Sequence, residues 1–432
     1  MGCPELGPLI AAQRPRLLAQ LVRRLGLARL ALAEDAVQQA SLQALLRWPQ
    51  DGCPDQPGAW LMRVALHWAI DQLRAERPLQ AWPDDDEVPA PEAEPSWAAS
   101  RAAVPTTRFS GELDDDELAL LFAACHPAVP PATQCLLALR CLTPLDLAGL
   151  AEALFSSEAA LAQRLARARR ALAEVSLSGP LAVPTGAELA PRRDAVLATL
   201  LVMFGEGCKA SGRQGSREAG EAQARALCWE AIRLARAVAG HPATAHPDAD
   251  ALAAVLLLHG ARLSGRLDDA GQIVPLPGQP RDRWDGGMVR LGLAHLQAAQ
   301  RAPLLSRFHA LAGIAAAHAV APSYAQTDWA AIVQGYAVLV RLDPSPAPRL
   351  GHAIALAEAG APEQALQHLA ELAPGLPAAL QPHALAAEAR AWQRLGSMDL
   401  ARAALARAVA CARHPADAAQ LSRLLDPIDG AS

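Results

Sequence analysis

The cysteine and histidine residues of this chain could hold a metal ion only at the right spacing, and that spacing is absent. The 12 histidines include no HExxH pair, in which two histidines one helical turn apart share a zinc ion. The nearest cluster, Cys125-His126 with Cys135 and Cys141, lacks the paired spacing of a zinc finger. We therefore expect no metal site.

Glycine, lysine and aspartate residues that could bind phosphate or calcium also lack the order and spacing of the known motifs. Gly205, Gly207 and Gly212 surround Lys209, but not in the GxxxxGK[ST] order that wraps a phosphate. Four aspartates further on do not form a calcium-binding loop. They are Asp268, Asp269, Asp282 and Asp285. No nucleophile stands beside a base at a recognisable spacing, so the residues by themselves predict no catalytic site.

The composition favours closely packed helices. Apolar residues make up 52% of the 432 residues and aromatic residues only 4%, and alanine, leucine and arginine dominate. Alanine and leucine are good helix formers, so we predict an all-α fold of two or three domains. The net charge of −5 excludes binding of polyanions over the whole surface, so any nucleic-acid surface must be local.

The compartment that the sequence predicts is the cytoplasm. No run of about 18 apolar residues suits a membrane span. The opening residues MGCPELGPLI lack the basic start and the apolar run of a signal peptide. The eight cysteines form no CxxC pair, which favours reduced thiols over a disulfide framework.

Two amphipathic helices joined by a turn are predicted within residues 33–77. The apolar face of the first helix, about residues 33–48, is expected to hold Val37, Leu42, Leu45 and Leu46. A different face of that helix offers polar side chains, namely Glu34, Asp35 and Gln38. Prolines and glycines then break the pattern, and the second helix covers about residues 59–77. This helical pair indicates a binding module.

Residues 78–112 change in character. They are rich in Pro, Asp, Glu and Ser and show little periodicity, which indicates a flexible linker. The acidic residues could keep the linker solvated, shield a basic surface or imitate the path of a nucleic acid.

A helix-turn-helix is predicted within residues 113–178. The first helix, about residues 146–154, would end at Ser156 and Ser157, and one of these serines can cap the second helix through its side-chain oxygen. The second helix, about residues 158–174, would turn Leu161, Leu165 and Leu172 inward. Its outward residues are Gln163, Arg164, Arg167, Arg169 and Arg170. Such a helix can read base edges in the major groove, although a solvated arginine face is the alternative.

The remainder, about residues 190–428, is predicted to be helical and contains a repeat. Residues 357–372 align with residues 393–408, so that Gly360 matches Gly396, Ala365 matches Ala401 and Leu369 matches Leu405. The offset of 36 residues (396 minus 360) is close to the TPR period of about 34, in which helix pairs stack on one another. Such an array binds a partner on its concave side or serves stability alone.

Phrases in all these parts resemble one protein family in their order and spacing. EDAVQ, RWPQDGCPDQPGAWL and AIDQLR are similar to region 2 of a bacterial sigma factor of the extracytoplasmic-function (ECF) class. DDDELALLFAACHPAVPPATQCLLALRCL and LAGLAEALFSSEAALAQRLARARRAL resemble region 4. LVMFGEGCKASG, GQIVPLPGQPRDRWDGGM and the stretch from TDWAAIVQGY to LQHLAEL resemble the helical, TPR-like C-terminal extension of one ECF group.

The resemblance implies a sigma factor that binds core RNA polymerase and directs promoter recognition and transcription initiation. Because sigma factors carry out no covalent chemistry, the resemblance implies neither an enzyme nor a bound cofactor. Glu34, Asp35 and Gln38 would dock on the clamp helices of the β′ subunit, and region 4 would meet the β flap. Promoter DNA at the minus-ten element would lie along Arg63, His67, Trp68, Arg74 and Arg77. At the minus-thirty-five element the contacts would come from Ser157, Glu158, Gln163, Arg164 and Arg167. Trp68 could stack on an unpaired base or belong to the core.

The domain organisation follows from these parts. We expect a region 2-like domain over residues 6–77, the acidic linker over 78–112, a region 4-like domain over 113–178 and a TPR-like domain over 190–428. The C-terminal domain would regulate the sigma regions or bind a protein partner. The alternative is a TPR-like interaction scaffold whose sigma regions no longer function.

Overall fold

The regular structure of the chain is helical. The computed structural model describes residues 6–75, 113, 115–143, 145–154, 156–176, 184, 186–213, 218–268, 273–412 and 415–422. Within these ranges the extended pairing is one isolated antiparallel bridge between Leu267 and Ile273. The predicted all-α fold is confirmed. The predicted linker over 78–112 and the predicted end of the C-terminal domain near residue 428 lie outside the described residues.

Internal contacts divide the chain into two compact units. The first contains residues 1–146 and 162–196, and the second contains residues 147–161 and 197–432. This division does not separate the predicted region 2-like and region 4-like domains, because residues of both fall in the first unit. The domain boundaries near residues 77, 113 and 178 stay predictions.

The first unit is organised around its N-terminal helix. The helices described in this unit are α1 (Leu6–Leu25), α2 (Leu30–Asp51), α3 (Pro57–Ala75), α4 (Asp116–Ala124), α5 (Pro131–Leu142) and the greater part of α7 (Glu158–Ser176). α1 packs against α2, α3, α4 and α5. Its buried stripe consists of Leu17, Leu18, Leu21 and Val22. Because burial of apolar surface is the main force in folding, this stripe holds the unit together.

The packing of α2 corrects the predicted apolar face of this helix. Val37 is buried, but Leu42, Leu45 and Leu46 are 48%, 47% and 57% exposed. The buried stripe instead contains four alanines and, at its C-terminal end, one tryptophan: Ala33, Ala36, Ala40, Ala44 and Trp48. Alanines at helical spacing bring α2 close to its neighbours, so the leucines are left on the outer face.

The second unit is centred on a helix that is apolar on nearly every side. Its described helices are α6 (Leu147–Ala153), α8 (Arg193–Arg213, from residue 197 on), α9 (Glu218–Gly240), α10 (Pro247–Gly260), α11 (Gly286–Ala299), α12 (Arg307–Val320), α13 (Trp329–Leu342), α14 (Pro346–Glu358), α15 (Pro362–Leu372), α16 (Gln381–Arg394), α17 (Met398–Cys411) and α18 (Pro415–Ser422). α10 is surrounded by α9, α11 and α12. A helix that is hydrophobic all round must be buried in this way.

The predicted repeat forms two helical hairpins, α14 with α15 and α16 with α17. Gly360 and Gly396 occupy equivalent turns with φ of 88° and 76°. The peptide N–H of Ala361 donates to the Leu356 carbonyl at 2.9 Å, and that of Ser397 donates to the Trp392 carbonyl at 3.0 Å. These are matching helix C-caps, in which glycine takes a left-handed conformation that disfavours other residues.

Candidate functional site

The outer face of α2 carries a continuous stripe of exposed side chains. Asp35 and Gln38 are exposed, and Leu42 and Leu45 continue the line at spacings of three and four residues, which follow one side of a helix. The sequence prediction placed the polar and the apolar residues on separate faces, and this was wrong. Large exposed apolar side chains next to polar ones are typical of protein interfaces.

Glu34 has different surroundings from Asp35, its neighbour in the sequence. Its side chain is only 11% exposed. Glu34 Oε1 accepts a hydrogen bond from Arg140 Nε at 3.1 Å, and Glu34 Oε2 accepts one from Arg169 Nη2 at 3.1 Å. Arg14 Nη2 lies 3.7 Å from Oε1. The three residues predicted to bind polymerase therefore do not share one exposed surface, because Glu34 is held by three arginines.

The Glu34 cluster, which consists of Glu34, Arg14, Arg140 and Arg169, joins α2 to α1, α5 and α7. Arg14 Nη1 also donates to the carbonyls of Arg140 and Thr143, at 3.2 Å each. Burial lowers the pKa of Arg14, and the carboxylate of Glu34 opposes that shift. Burial, with the same carboxylate, raises the pKa of the Cys141 thiol to about 12. One carboxylate thus offsets the charge of several arginines.

The predicted minus-ten residues lie along α3. Arg63, His67 and Arg74 are exposed at helical spacing, and Trp68 is partly buried. Arg74 Nη1 is 3.8 Å from Asp71 Oδ1, and both side chains are about 70% exposed, a pair that contributes little to stability. The edge of the Trp60 ring meets Trp48 at 5.4 Å between centroids, so α3 is fixed against α2. Arg77 lies outside the described residues.

The predicted minus-thirty-five residues lie at the start of α7 and along it. Ser157, Glu158, Gln163 and Arg167 are exposed and Arg164 is partly buried. The Ser157 hydroxyl accepts a hydrogen bond from the Ala160 peptide N–H at 3.3 Å, so the predicted serine cap is confirmed. Also confirmed is the inward stripe, Leu161, Leu165 and Leu172.

A serine, a histidine and an aspartate do meet in the second unit, but not as a catalytic triad. Ser306 Oγ is 2.9 Å from His309 Nδ1, and Asp248 Oδ1 is 3.4 Å from the same nitrogen. His309 Nε2 faces the Ala299 carbonyl at 3.0 Å. A triad needs the serine and the acid on opposite nitrogens of the ring, so this cluster caps the N-terminus of α12. The described residues contain no group of three side chains suited to a metal ion.

Two features escaped the sequence reasoning. The exposed leucines of α2 could have been recognised from the alternative stripe of alanines at positions 33, 36, 40 and 44. The Glu34 cluster carries no local signal, because Glu34 and Arg140 are 106 positions apart.

Comparison with known proteins gives two family matches and one full-length relative. The family described as sigma-70 region 2 matches residues 9–78. A family of unknown function, DUF6596, matches residues 192–300. A Rhizobium meliloti (strain 1021) protein described as uncharacterized is 34% identical over 419 residues, which cover 96% of this chain and 94% of that protein. No solved structure matches the chain.

The match over residues 9–78 supports a sigma-70-type factor, because region 2 implies binding of core RNA polymerase and suggests a role in promoter recognition. The chain belongs to the same family as the Rhizobium meliloti protein. No helix in the described part of the chain is both long and apolar enough to cross a membrane.

Proposed function

We propose that this protein is a cytoplasmic sigma factor of the ECF class whose C-terminal domain regulates it. The observation that carries this proposal is the exposed stripe on α2, inside the matched region 2. Asp35 and Gln38 provide polar contacts, while Leu42 and Leu45 provide apolar surface that a partner can bury. The partner is core RNA polymerase, through the clamp helices of β′.

The DNA contacts in this proposal come from two helices. On α3, Arg63, His67, Trp68 and Arg74 follow the minus-ten strand, with Arg77 beyond the described end of the helix. On α7, Ser157 and Glu158 open the helix, and Gln163, Arg164 and Arg167 follow its outer side. Exposed arginines suit phosphate contacts. Region 4 also meets the β flap of the polymerase.

The Glu34 cluster gives Glu34 a second role in the proposal. Arg140 and Arg169 belong to the region 4-like segment, and both bind a carboxylate on the region 2-like helix α2. We infer that this cluster keeps the two sigma regions together in the free protein. Binding to polymerase then separates Glu34 from these arginines, and the polymerase contacts come from Asp35 and Gln38.

The C-terminal domain, TPR-like in the proposal, acts on the first helix of the helix-turn-helix. α6 belongs to the same compact unit as the C-terminal helices. Glu152 of α6 lines a small cavity together with His383 of α16 and Asp417 of α18. A domain in contact with α6 is placed to control α7, and a TPR-like array takes a protein partner on its concave side.

The test is capture of core RNA polymerase by the full chain, without DNA. The variant Asp35→Ala with Gln38→Ala should lose at least about tenfold in affinity, since interface hot spots contribute about 2 kcal/mol or more. Asp71→Ala with Gln72→Ala on α3 is the matched control and should bind as the unchanged protein does. If the unchanged chain fails to bind polymerase, the sigma proposal fails and the TPR-like scaffold takes its place.

A further inference from the structure

The connection between α10 and α11 is long and carries a cluster of cations. It covers residues 261–285, and its described residues, 261–268 and 273–285, form only short 3-10 turns and the isolated bridge. A connection of this length inside a compact unit is usually functional. Three arginines and a tryptophan from this connection lie close together: Arg262, Arg266, Arg281 and Trp284. We call them the loop cluster.

Contacts within the connection hold the loop cluster in place. Arg262 Nε donates to Gln279 Oε1 at 3.3 Å, and Gln279 Nε2 donates to the Val274 carbonyl at 2.8 Å. The guanidinium carbons of Arg281 and Arg262 lie 4.2 and 5.3 Å from the centroid of the Trp284 ring. The ring attracts both cations and keeps them near each other despite their like charge.

Arg281 also anchors the connection to α12. Its Nη1 donates to the His318 carbonyl and, at 3.0 Å, to the Ala321 carbonyl. These carbonyls end α12, where the helix dipole is negative and favours a cation. Nη1 of Arg281 therefore holds the connection against the end of α12, whereas Nη2 is not engaged in this contact.

The charges that act on Arg262 and on His318 come mainly from neighbouring arginines. The charged groups that lower the pKa of Arg262 to about 10, after burial, are Arg266 and Arg281; only the Cys208 thiol opposes them. Burial, with Arg262 and Arg281, lowers the pKa of His318 to about 4. Buried cations are normally paired with an anion, and no carboxylate is among the groups that shift the pKa of Arg262 or of His318.

Four buried nitrogen atoms around this point have no hydrogen-bond partner among the described residues. They are Arg266 Nε, Arg281 Nη2, Trp284 Nε1 and His318 Nδ1. Three of them are obligatory donors, and the fourth can donate from a neutral imidazole. Buried polar groups are nearly always satisfied, so these donors beside three cations suit an acceptor that carries negative charge.

We propose that the loop cluster binds a small oxyanion of the phosphate class, either inorganic phosphate or the phosphomonoester of a small metabolite. Arg266 and Arg281 donate to its oxygens, Trp284 donates through its indole N–H, and Arg262 supplies further positive charge. Phosphate offers several acceptor oxygens and up to two negative charges, which suits guanidinium donors arriving from different directions. This ligand would give the C-terminal domain a chemical signal to sense, independently of the sigma proposal.

Calorimetric titration of the full chain tests the proposal with two probes, inorganic phosphate and glycerol 3-phosphate. Sodium chloride of equal ionic strength and sodium acetate serve as anion controls. We expect saturable binding with one site per chain. Tighter binding of glycerol 3-phosphate would identify a phosphomonoester as the ligand, and equal or tighter binding of phosphate would identify the free ion.

Three variants separate a built site from general attraction of anions. Arg266→Gln should weaken binding at least about tenfold, because it removes a charged donor. Trp284→Phe keeps an aromatic ring at this position but removes the indole N–H, and it should weaken binding by about threefold to tenfold. Arg283→Gln, an exposed arginine two positions from Arg281, is the matched control and should change the affinity less than about twofold.

A nuclear magnetic resonance signal from Trp284 in the unchanged chain tests the same site without any variant, and so does not depend on whether a variant folds. In the unchanged chain, the indole N–H resonance of Trp284 should shift on addition of the probe. The proposal is overturned if neither probe binds beyond chloride, if acetate binds as tightly, or if Arg283→Gln has the effect of Arg266→Gln. It is also overturned if only a DNA duplex moves the Trp284 resonance.

Discussion

At the scale of single residues, neighbours in the sequence have opposite surroundings. Asp35 is exposed on the outer stripe of α2, while the side chain of Glu34 is 11% exposed and holds Arg140 and Arg169. A charge that is largely buried needs its partners, because breaking such a cluster leaves other charges uncompensated. The two acids should therefore respond to mutation in opposite ways.

The first prediction concerns these two acids. Glu34→Gln removes the charge that holds Arg140 and Arg169, so it should open the contact and tighten binding of core RNA polymerase by up to about tenfold. It should also lower the free energy of unfolding by about 2 kcal/mol. Asp35→Asn, the control, should weaken polymerase binding and leave stability unchanged. If Glu34→Gln weakens binding as Asp35→Asn does, the cluster does not restrain the sigma regions.

The second prediction concerns His259, at the C-terminal end of α10. Burial, followed by Arg262, His318 and Arg266, lowers its pKa to about 3. In the unfolded chain the pKa is about 6.5, so below that pH the unfolded state binds more protons than the folded state. Stability is therefore complete above pH 6.5 and falls as the pH decreases towards 3, by about 1.4 kcal/mol per pH unit.

Urea unfolding between pH 7 and pH 5, in buffers free of phosphate, measures this effect. His259→Gln should make the slope shallower by the share of one histidine and leave the share of His318, whose pKa burial also lowers. His383→Gln, at an exposed position of α16, should leave the slope unchanged. A slope in His259→Gln as steep as in the unchanged protein would assign the pH dependence to other groups.

At the scale of elements, two kinds of feature stabilise the hairpins of the second unit: the backbone geometry of their turns and a few hydrogen-bonded ion pairs between residues far apart in the sequence. Gly360 and Gly396 make the two equivalent turns. Glu358 of α14 is buried and accepts hydrogen bonds from Arg390, at 2.7 Å, and from Arg394 of α16. The turns shape each hairpin, and Glu358 joins one hairpin to the next.

The third prediction isolates the backbone part of this arrangement. A Cβ at Gly360 or Gly396 would meet no atom within 4 Å, so alanine there tests only the left-handed conformation. Each substitution should destabilise the protein by about 1–2 kcal/mol. Gly313→Ala, in the exposed interior of α12 with equally free space, should instead stabilise by about 0.5–1 kcal/mol. Thermal unfolding measures all three, and equal effects would refute the conformational explanation.

At the scale of the whole molecule, charge distribution matters more than net charge. The protein carries a net charge of −5, yet the outer sides of α3 and α7 carry arginines that face solvent. Attraction to DNA must therefore come from these local surfaces. The acidic remainder should keep non-specific binding weak.

The fourth prediction follows from this distribution. The affinity of the full chain for a DNA duplex should fall as salt rises, with a log–log slope of about −3 to −4 if Arg63, Arg74, Arg164 and Arg167 contact phosphates. Arg63→Gln should reduce the slope by about 1. Arg236→Gln on α9, an equally exposed arginine, should not change it. A slope that does not respond to Arg63→Gln would remove α3 from the DNA surface.

The sequence by itself determined the features that depend on neighbours along the chain. The all-α fold, the cap at Ser157, the inward leucines of α7 and the turn glycines at 360 and 396 were all predictable. Each of these depends on the helical period or on backbone conformation, which a residue and its next few neighbours decide.

Only the tertiary structure decided which side chains meet. The outer position of Leu42 and Leu45 depended on which stripe of α2 the neighbouring helices covered, and both an alanine stripe and a leucine stripe were available. Glu34 meets arginines 106 and 135 positions away, and Arg281 meets the end of α12 about 40 positions on. Pairing at such distances follows from packing and burial, which no local pattern encodes.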